Sequence, residues 1–107
     1  MTLPLPAQPA WFCRLRSMSR LPSANGGSVR IVERPADGDW TAAVLARIDA
    51  DTAVVAMPYC HWSDGSIIDL VPIGAATRKV GGALVVDATQ SVGAWPFDLA
   101  AIKPDYV

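Results

Sequence analysis

Residues 83–93 of the chain have the sequence ALVVDATQSVG and carry its strongest fold signal. The unbroken apolar run at residues 83–86 predicts a strand buried on both faces, as in the parallel sheets of α/β proteins. This strand leads directly into Asp87. A second apolar run, TAVVAM at residues 52–57, predicts a neighbouring strand of the same kind.

Helices are predicted on either side of these strands. Asp39 and Asp69 are suitable N-caps for helices over residues 40–48 and 70–80, and a shorter helix is expected around residues 98–102. Apolar spacing predicts that the buried positions are Trp40, Val44, Leu45 and Ile48 in the first helix and Ile73, Ala76 and Val80 in the second.

Two further strands complete the predicted order. The alternating sequence SVRIVE at residues 28–33 predicts a strand, and another is expected to start at residues 105–107. The resulting alternation of strands and helices implies right-handed parallel crossovers. We therefore expect an α/β fold, a three-layer αβα sandwich around a mainly parallel sheet.

The first 27 residues differ in composition from the rest. They are rich in Pro, Arg and Ser, contain no Asp or Glu, and show no helical or strand periodicity. We interpret residues 1–27 as an irregular leader and residues 28–107 as the structured part, which begins after the turn signal Asn25-Gly26-Gly27.

The composition limits the class of protein. With 107 residues, 51% hydrophobic and 18% charged, the chain fits one domain that is poor in charge for its size, which favours covered interfaces or missing parts. No apolar run is long enough to span a membrane, and a net charge of −1 does not favour nucleic-acid binding. Two cysteines, too few for a disulfide framework, predict a reducing, cytoplasmic location.

Candidate functional residues follow the two buried strands, because ligands of open parallel sheets bind beyond the carboxyl ends of the strands. Asp87 either caps the next turn or faces a cation; residue type alone leaves both open. In the loop that follows the strand at residues 52–57, His61 is either a structural residue or an acid–base group, and residue type alone leaves both open. His61 and Asp64 lack a third ligand for a metal, and nothing in the sequence marks Cys60 as an activated nucleophile.

The segment Val86-Asp-Ala-Thr-Gln-Ser-Val-Gly93, with Pro96, Asp98-Leu99 and Asp105, resembles the cofactor-aspartate segment of class V aminotransferases and cysteine desulfurases. The spacing of Gly65, Ile73-Gly74 and Gly81 upstream is similar as well, so the resemblance covers residues 27–107. It implies part of the large domain of a fold type I enzyme that depends on pyridoxal 5′-phosphate (PLP) and acts on amino acids, usually as a homodimer.

The resemblance also assigns cofactor contacts. Asp87 matches the aspartate that pairs with the protonated pyridine nitrogen, and Gln90 matches the residue that bonds the phenolic oxygen. Ala88 is small enough for the ring to approach. Trp62 occupies the position of a desulfurase asparagine, and His61 precedes it.

The lysine that forms the Schiff base is expected beyond Val107, since Lys79 and Lys103 do not match its position. The resemblance thus implies a chain truncated at both ends, inactive alone and without catalytic residues of its own. The alternative is a non-catalytic α/β module that binds a partner or a small anion. A nucleotide-binding domain ranks last because no GxGxxG or GxxxxGK[ST] motif occurs.

Overall fold

The computed structural model describes residues 26–107, so the leader predicted for residues 1–27 lies almost entirely outside the described residues. The described part alternates helices and strands in the order expected of an α/β protein. Its elements are α1 (Trp40–Leu45), β1 (Val54–Pro58), α2 (Leu70–Lys79), β2 (Ala83–Asp87) and α3 (Leu99–Ile102).

Strands β1 and β2 form a parallel pair joined through α2. Val55 lies beside Leu84, and Met57 lies beside Val86. Tyr106 adds an isolated parallel bridge to Val85, where the sequence predicts the start of another strand. The predicted α/β class and the parallel arrangement are therefore confirmed.

The core lies on one face of this sheet. The strands contribute alternate residues to it, because successive side chains of a strand point to opposite faces. All three helices contribute to the same cluster, which contains Trp40, Val44, Val55, Met57, Ile68, Leu70, Ile73, Leu84, Val86 and Ile102. Val54 and Val85, on the other face, are exposed and half-buried. Residues 26–107 thus supply one helical layer and the sheet, and no described helix covers the second face.

Each helix begins where the sequence places an aspartate. The carboxylates of Asp39, Asp69 and Asp98 accept hydrogen bonds from backbone N–H groups in the first turns of their helices, at 2.9, 3.1 and 3.0 Å. Such caps satisfy donors that have no partner within the helix. The short polar side chains therefore decide where α1, α2 and α3 start.

Helices α2 and α3 approach closely at Gly74. A Cβ atom at this position would clash with the carbonyl oxygen of Ile102. The Arg78 guanidinium lies next to the contact and donates to the carbonyl oxygens of Ile102 and Lys103, at 3.0 and 3.2 Å. Gly74, which has no side chain, lets the end of α3 approach α2, and the Arg78 guanidinium binds the carbonyl oxygens there.

The predicted strand at residues 28–33 is wrong. These residues form no ladder within residues 26–107, and Val29 and Ile31 are about half exposed. Arg30 instead bonds the side chains of Asp49 and Thr52. Alternation predicts a strand only where a partner strand can accept its backbone bonds.

Two details of the helices also differ from the prediction. Helix α1 ends at Leu45 instead of residue 48, because bonds from Arg47 and Ile48 reach back only three residues and tighten the chain into a turn. In α2, Ile73 is buried as predicted. However, Ala76 is half-buried, Val80 is half-buried and follows the end of the helix, and Thr77 is buried instead. The Thr77 hydroxyl donates to the Ile73 carbonyl at 2.8 Å, so its polar group is satisfied inside the helix.

Among residues 26–107, no helix is long and apolar enough to cross a membrane.

Candidate site at the carboxyl ends of the strands

The two strands end side by side. Pro58 pairs with Asp87 in the last register position, and the N–H of the next residue, Tyr59, donates to the Asp87 carbonyl at 3.1 Å. The loops that follow β1 and β2 therefore leave the sheet from one edge. This is the edge at which open parallel sheets bind ligands.

Asp87 is held by the turn that follows it. Its carboxylate accepts a hydrogen bond from the Thr89 N–H at 2.9 Å and another from the Thr89 hydroxyl. The side chain is half-buried. A carboxylate at the end of a buried strand, oriented by two donors, suits both alternatives that the sequence leaves open, capping and pairing with a cation.

The turn after Asp87 is tightly wound. The Ala88 carbonyl oxygen accepts from the N–H groups of Ser91 and Val92, both at 2.9 Å, and from the Ser91 hydroxyl at 3.2 Å. Ala88 and Ser91 are buried, whereas Gln90 is exposed. Of the three cofactor contacts that the resemblance assigns in this segment, Asp87, Ala88 and Gln90, only Gln90 is exposed.

The loop after β1 is a closed hairpin. An antiparallel bridge joins Cys60 and Ile67, and the His61 N–H donates to the Ser66 carbonyl at 2.8 Å. The His61 carbonyl in turn accepts from the Gly65 N–H at 2.8 Å. Gly65 has φ +71°, a left-handed conformation that favours glycine. The hairpin fixes the loop through both backbone groups of His61.

The His61 side chain is packed inside the domain and is only 6% exposed. Its ring lies parallel to the Trp40 indole, with centroids 4.7 Å apart and 17° between the planes. The Ser63 hydroxyl lies 2.9 Å from Nδ1, and an Asp64 oxygen lies 3.6 Å away. The imidazole therefore contacts the protein on its face and at Nδ1.

Trp62 extends the same stack outward. Its ring is nearly parallel to that of His61, at 16° and 6.5 Å between centroids, and the residue is 55% exposed. His61 is thus nearly parallel to two other rings, that of the buried Trp40 and that of the exposed Trp62. We call these three rings the ring column.

Asp64 anchors the hairpin by charge. Burial alone would raise the pKa of the Asp64 carboxyl, but hydrogen bonds from Ser66 and the charge of Arg34 outweigh it and keep the pKa below its ordinary value. Arg34 forms an ion pair with this carboxylate. The hairpin is therefore tied to the segment that precedes α1.

Neither lysine reaches this edge. Lys79 ends α2 and Lys103 follows α3, and both helices lead back toward the amino-terminal ends of the strands. Among residues 26–107, no group of three potential metal ligands occurs.

The structure also shows a cleft that the sequence did not predict, next to the carboxyl ends of the strands. It has a volume of about 370 Å³ and lies between the start of α2 and the segment before α3. Tyr59 donates to the Pro96 carbonyl at 3.0 Å and packs edge-on against Phe97. Trp95, which is 52% exposed, also lines the cleft. The sequence Trp95-Pro96-Phe97 is an apolar signal in a loop that could have indicated such a surface.

Comparison with known proteins decides the family. Residues 13–107 match the sequence model of the family described as aminotransferase class-V. The chain belongs to the class V aminotransferase family. Enzymes of this family depend on PLP, and the parallel sheet is consistent with their α/β domain.

Similar curated proteins include desulfurases and an aminotransferase. The chain is 37% identical to cysteine desulfurase IscS of Pseudomonas fluorescens (strain SBW25) over 75% of its length and 20% of the relative. It is 30% identical to the uncharacterized aminotransferase YcbU of Bacillus subtilis (strain 168), over 60% of this chain and 21% of the relative. The chain therefore spans about a fifth of the length of these class V relatives.

Proposed function

We propose that the carboxyl edge of β1 and β2 holds the pyridine ring of PLP in an enzyme that acts on amino acids by transamination, desulfuration or related chemistry. The observation that carries this proposal is the position of Asp87. Its carboxylate lies at the end of a buried strand, half-buried and oriented by Thr89.

The residues at this edge fit the group. A carboxylate near the interior keeps its charge when a cation faces it, and a protonated pyridine nitrogen is such a cation. Thr89 holds the Asp87 carboxylate in one orientation, so its charge need not be rearranged when the ring binds.

The neighbouring residues supply the remaining contacts. Gln90 projects to the surface one turn after Asp87, and its amide provides both a donor and an acceptor for the ring's phenolic oxygen. Ala88 occupies the position between them with only a methyl group, which leaves room for a flat ring. Trp62, which is exposed in the loop after β1, is proposed to bound the ring on that side.

When bound, the cofactor withdraws electrons from the α-carbon of an amino acid. The contribution of this chain is to hold a proton on the pyridine nitrogen through Asp87 and to orient the ring through Gln90. The amino-acid substrate, homodimer formation, a cytoplasmic location and an attachment lysine from outside residues 1–107 belong to the same proposal.

Binding of pyridoxamine 5′-phosphate tests the proposal. This ligand has the ring and phosphate of PLP but no aldehyde to react with Lys79 or Lys103. We expect calorimetric titration to show binding that Asp87→Asn weakens about 10- to 100-fold, the loss of one hydrogen bond to a charged group.

Asp37→Asn is the matched control. The Asp37 carboxylate also accepts a hydrogen bond from a backbone N–H two residues ahead, that of Asp39 at 3.0 Å, but Asp37 lies in the segment before α1 and not in either loop that follows a strand. The control should bind the ligand like the native chain. Absence of binding to the native chain, or an equal loss in both variants, would refute the proposal and leave the non-catalytic module as the explanation.

A further inference from the structure

The ring column places one aromatic residue on the surface and two beneath it. Trp40 is buried at the start of α1, His61 lies on it, and Trp62 is exposed at the outer end. The sequence names both His61 and Trp62 as candidates for cofactor contact, with Trp62 at the position of the desulfurase asparagine. Their burial separates them, because His61 is 6% exposed and Trp62 is 55% exposed.

The groups around His61 account for its packing within the protein. One ring face lies on Trp40, Trp62 is nearly parallel to it, and Nδ1 faces Ser63 and Asp64. Both of its backbone polar groups close the hairpin. These contacts leave little of the His61 ring free to touch a ligand. His61 is therefore better placed to support its neighbours than to bind a ligand directly.

Within residues 26–107, Trp40 is held in the core by packing and not by a hydrogen bond from its indole nitrogen. Its indole nitrogen is buried and makes no hydrogen bond to any of residues 26–107, a state that ordinarily costs free energy. Apolar packing and the face-to-face contact with His61 hold the indole in this place despite that cost. The base of the column is thus part of the core cluster that also supports β1 and β2.

We propose that His61 is a positioning residue, which holds the Trp62 indole at the cofactor edge by stacking between it and Trp40. Trp62 is then the residue of this loop that contacts the PLP ring, and the ion pair between Arg34 and Asp64 keeps the hairpin in place. The inference rests on the proposed function and assigns different roles to its two aromatic candidates.

The role in stacking predicts which substitutions are tolerated. Phenylalanine at position 61 retains a flat ring but has no nitrogen, whereas alanine removes the ring. We expect His61→Phe to bind pyridoxamine 5′-phosphate like the native chain and His61→Ala to bind it about 3- to 10-fold more weakly, the effect of one aromatic pair. Near-ultraviolet circular dichroism should show the stacked-ring signal in His61→Phe and its loss in His61→Ala.

A double variant tests whether His61 acts through Trp62. If it does, His61→Ala combined with Trp62→Ala should bind no more weakly than Trp62→Ala alone. Trp95→Phe is the control, since Trp95 has a similar exposure but lines the neighbouring cleft. It should leave the affinity unchanged.

The outcomes distinguish this inference from the proposed function. If Asp87→Asn weakens binding but Trp62→Ala does not, or if His61→Phe binds as weakly as His61→Ala, the positioning role is refuted and the Asp87 site stands. If the native chain does not bind the ligand, the proposed function itself fails. If a thermal melt shows that His61→Ala is unfolded, the affinities of His61→Phe and Trp62→Ala decide instead. Native-like binding by His61→Phe together with weaker binding by Trp62→Ala supports the positioning role, and any other result refutes it.

Discussion

The backbone N–H of Tyr59 donates to the carbonyl oxygen of Asp87 at 3.1 Å, one residue beyond the last paired position of the sheet. This bond continues the parallel ladder into the first residue of the loop. It fixes the start of the His61 hairpin relative to the carboxylate of Asp87. The candidate site is therefore built on the two strands, and its loops begin from a rigid edge.

The contact between α2 and α3 predicts a destabilising substitution at Gly74. Alanine ordinarily stabilises a helix interior by about 1 kcal/mol relative to glycine. Here its Cβ would meet the Ile102 carbonyl, so we expect Gly74→Ala to reduce the free energy of unfolding by about 1–3 kcal/mol. Chemical denaturation of both proteins measures the difference.

Ala75→Gly provides the matched comparison because Ala75 is the exposed neighbour of Gly74 in α2. Its free energy of unfolding should fall by about 1 kcal/mol, the difference in helix propensity between alanine and glycine. A Gly74→Ala variant that is more stable than the native chain would show that the helices do not approach as described.

Stability should depend on pH through Asp49. Hydrogen bonds from the Arg30 guanidinium, at 2.5 and 2.8 Å, together with those from the Asp51 N–H and the Thr52 hydroxyl, hold the pKa of Asp49 well below its ordinary value. The folded state lowers this pKa, so the ionised Asp49 carboxylate adds to the free energy of unfolding. This contribution is complete above about pH 4 and is lost as the pH falls below it.

Thermal melts between neutral and acidic pH test the role of this carboxylate. Asp49→Asn should lower the melting temperature at neutral pH and reduce its further fall in acid. Asp51→Asn, in the same exposed turn, should retain the native acid dependence. Identical pH profiles for the native chain and Asp49→Asn would contradict the assignment.

The sequence predicts the parts of the fold that depend on local chemistry. Asp39 and Asp69 mark helix starts because a short carboxylate satisfies free N–H groups wherever a helix begins. The apolar runs before Pro58 and Asp87 predict parallel strands because few other structures bury such runs. For the same reason, the location of Asp87 at a sheet edge follows from the sequence.

Features that depend on distant partners could not be predicted. Residues 28–33 have strand alternation, but whether they pair is decided by strands elsewhere in the fold. Thr77 is buried because its hydroxyl bonds within α2, which hydrophobic spacing cannot show. The stacking of His61 on Trp40 joins residues 21 positions apart, so only the folded structure separates its role from that of Trp62.

The central claim is that the Asp87 carboxylate holds a proton on the pyridine nitrogen of the bound cofactor. Nitrogen-15 NMR of ring-labelled pyridoxamine 5′-phosphate, with the chain in excess, measures that protonation state directly. Above the pH at which the free ligand loses its ring proton, the nitrogen should resonate as a pyridinium when it is bound to the native chain or to Asp37→Asn. Bound to Asp87→Asn, with this variant added at a concentration high enough to bind all of the ligand, the nitrogen should resonate as a neutral pyridine. A neutral nitrogen in the native complex, or a pyridinium that persists in Asp87→Asn, would contradict the account.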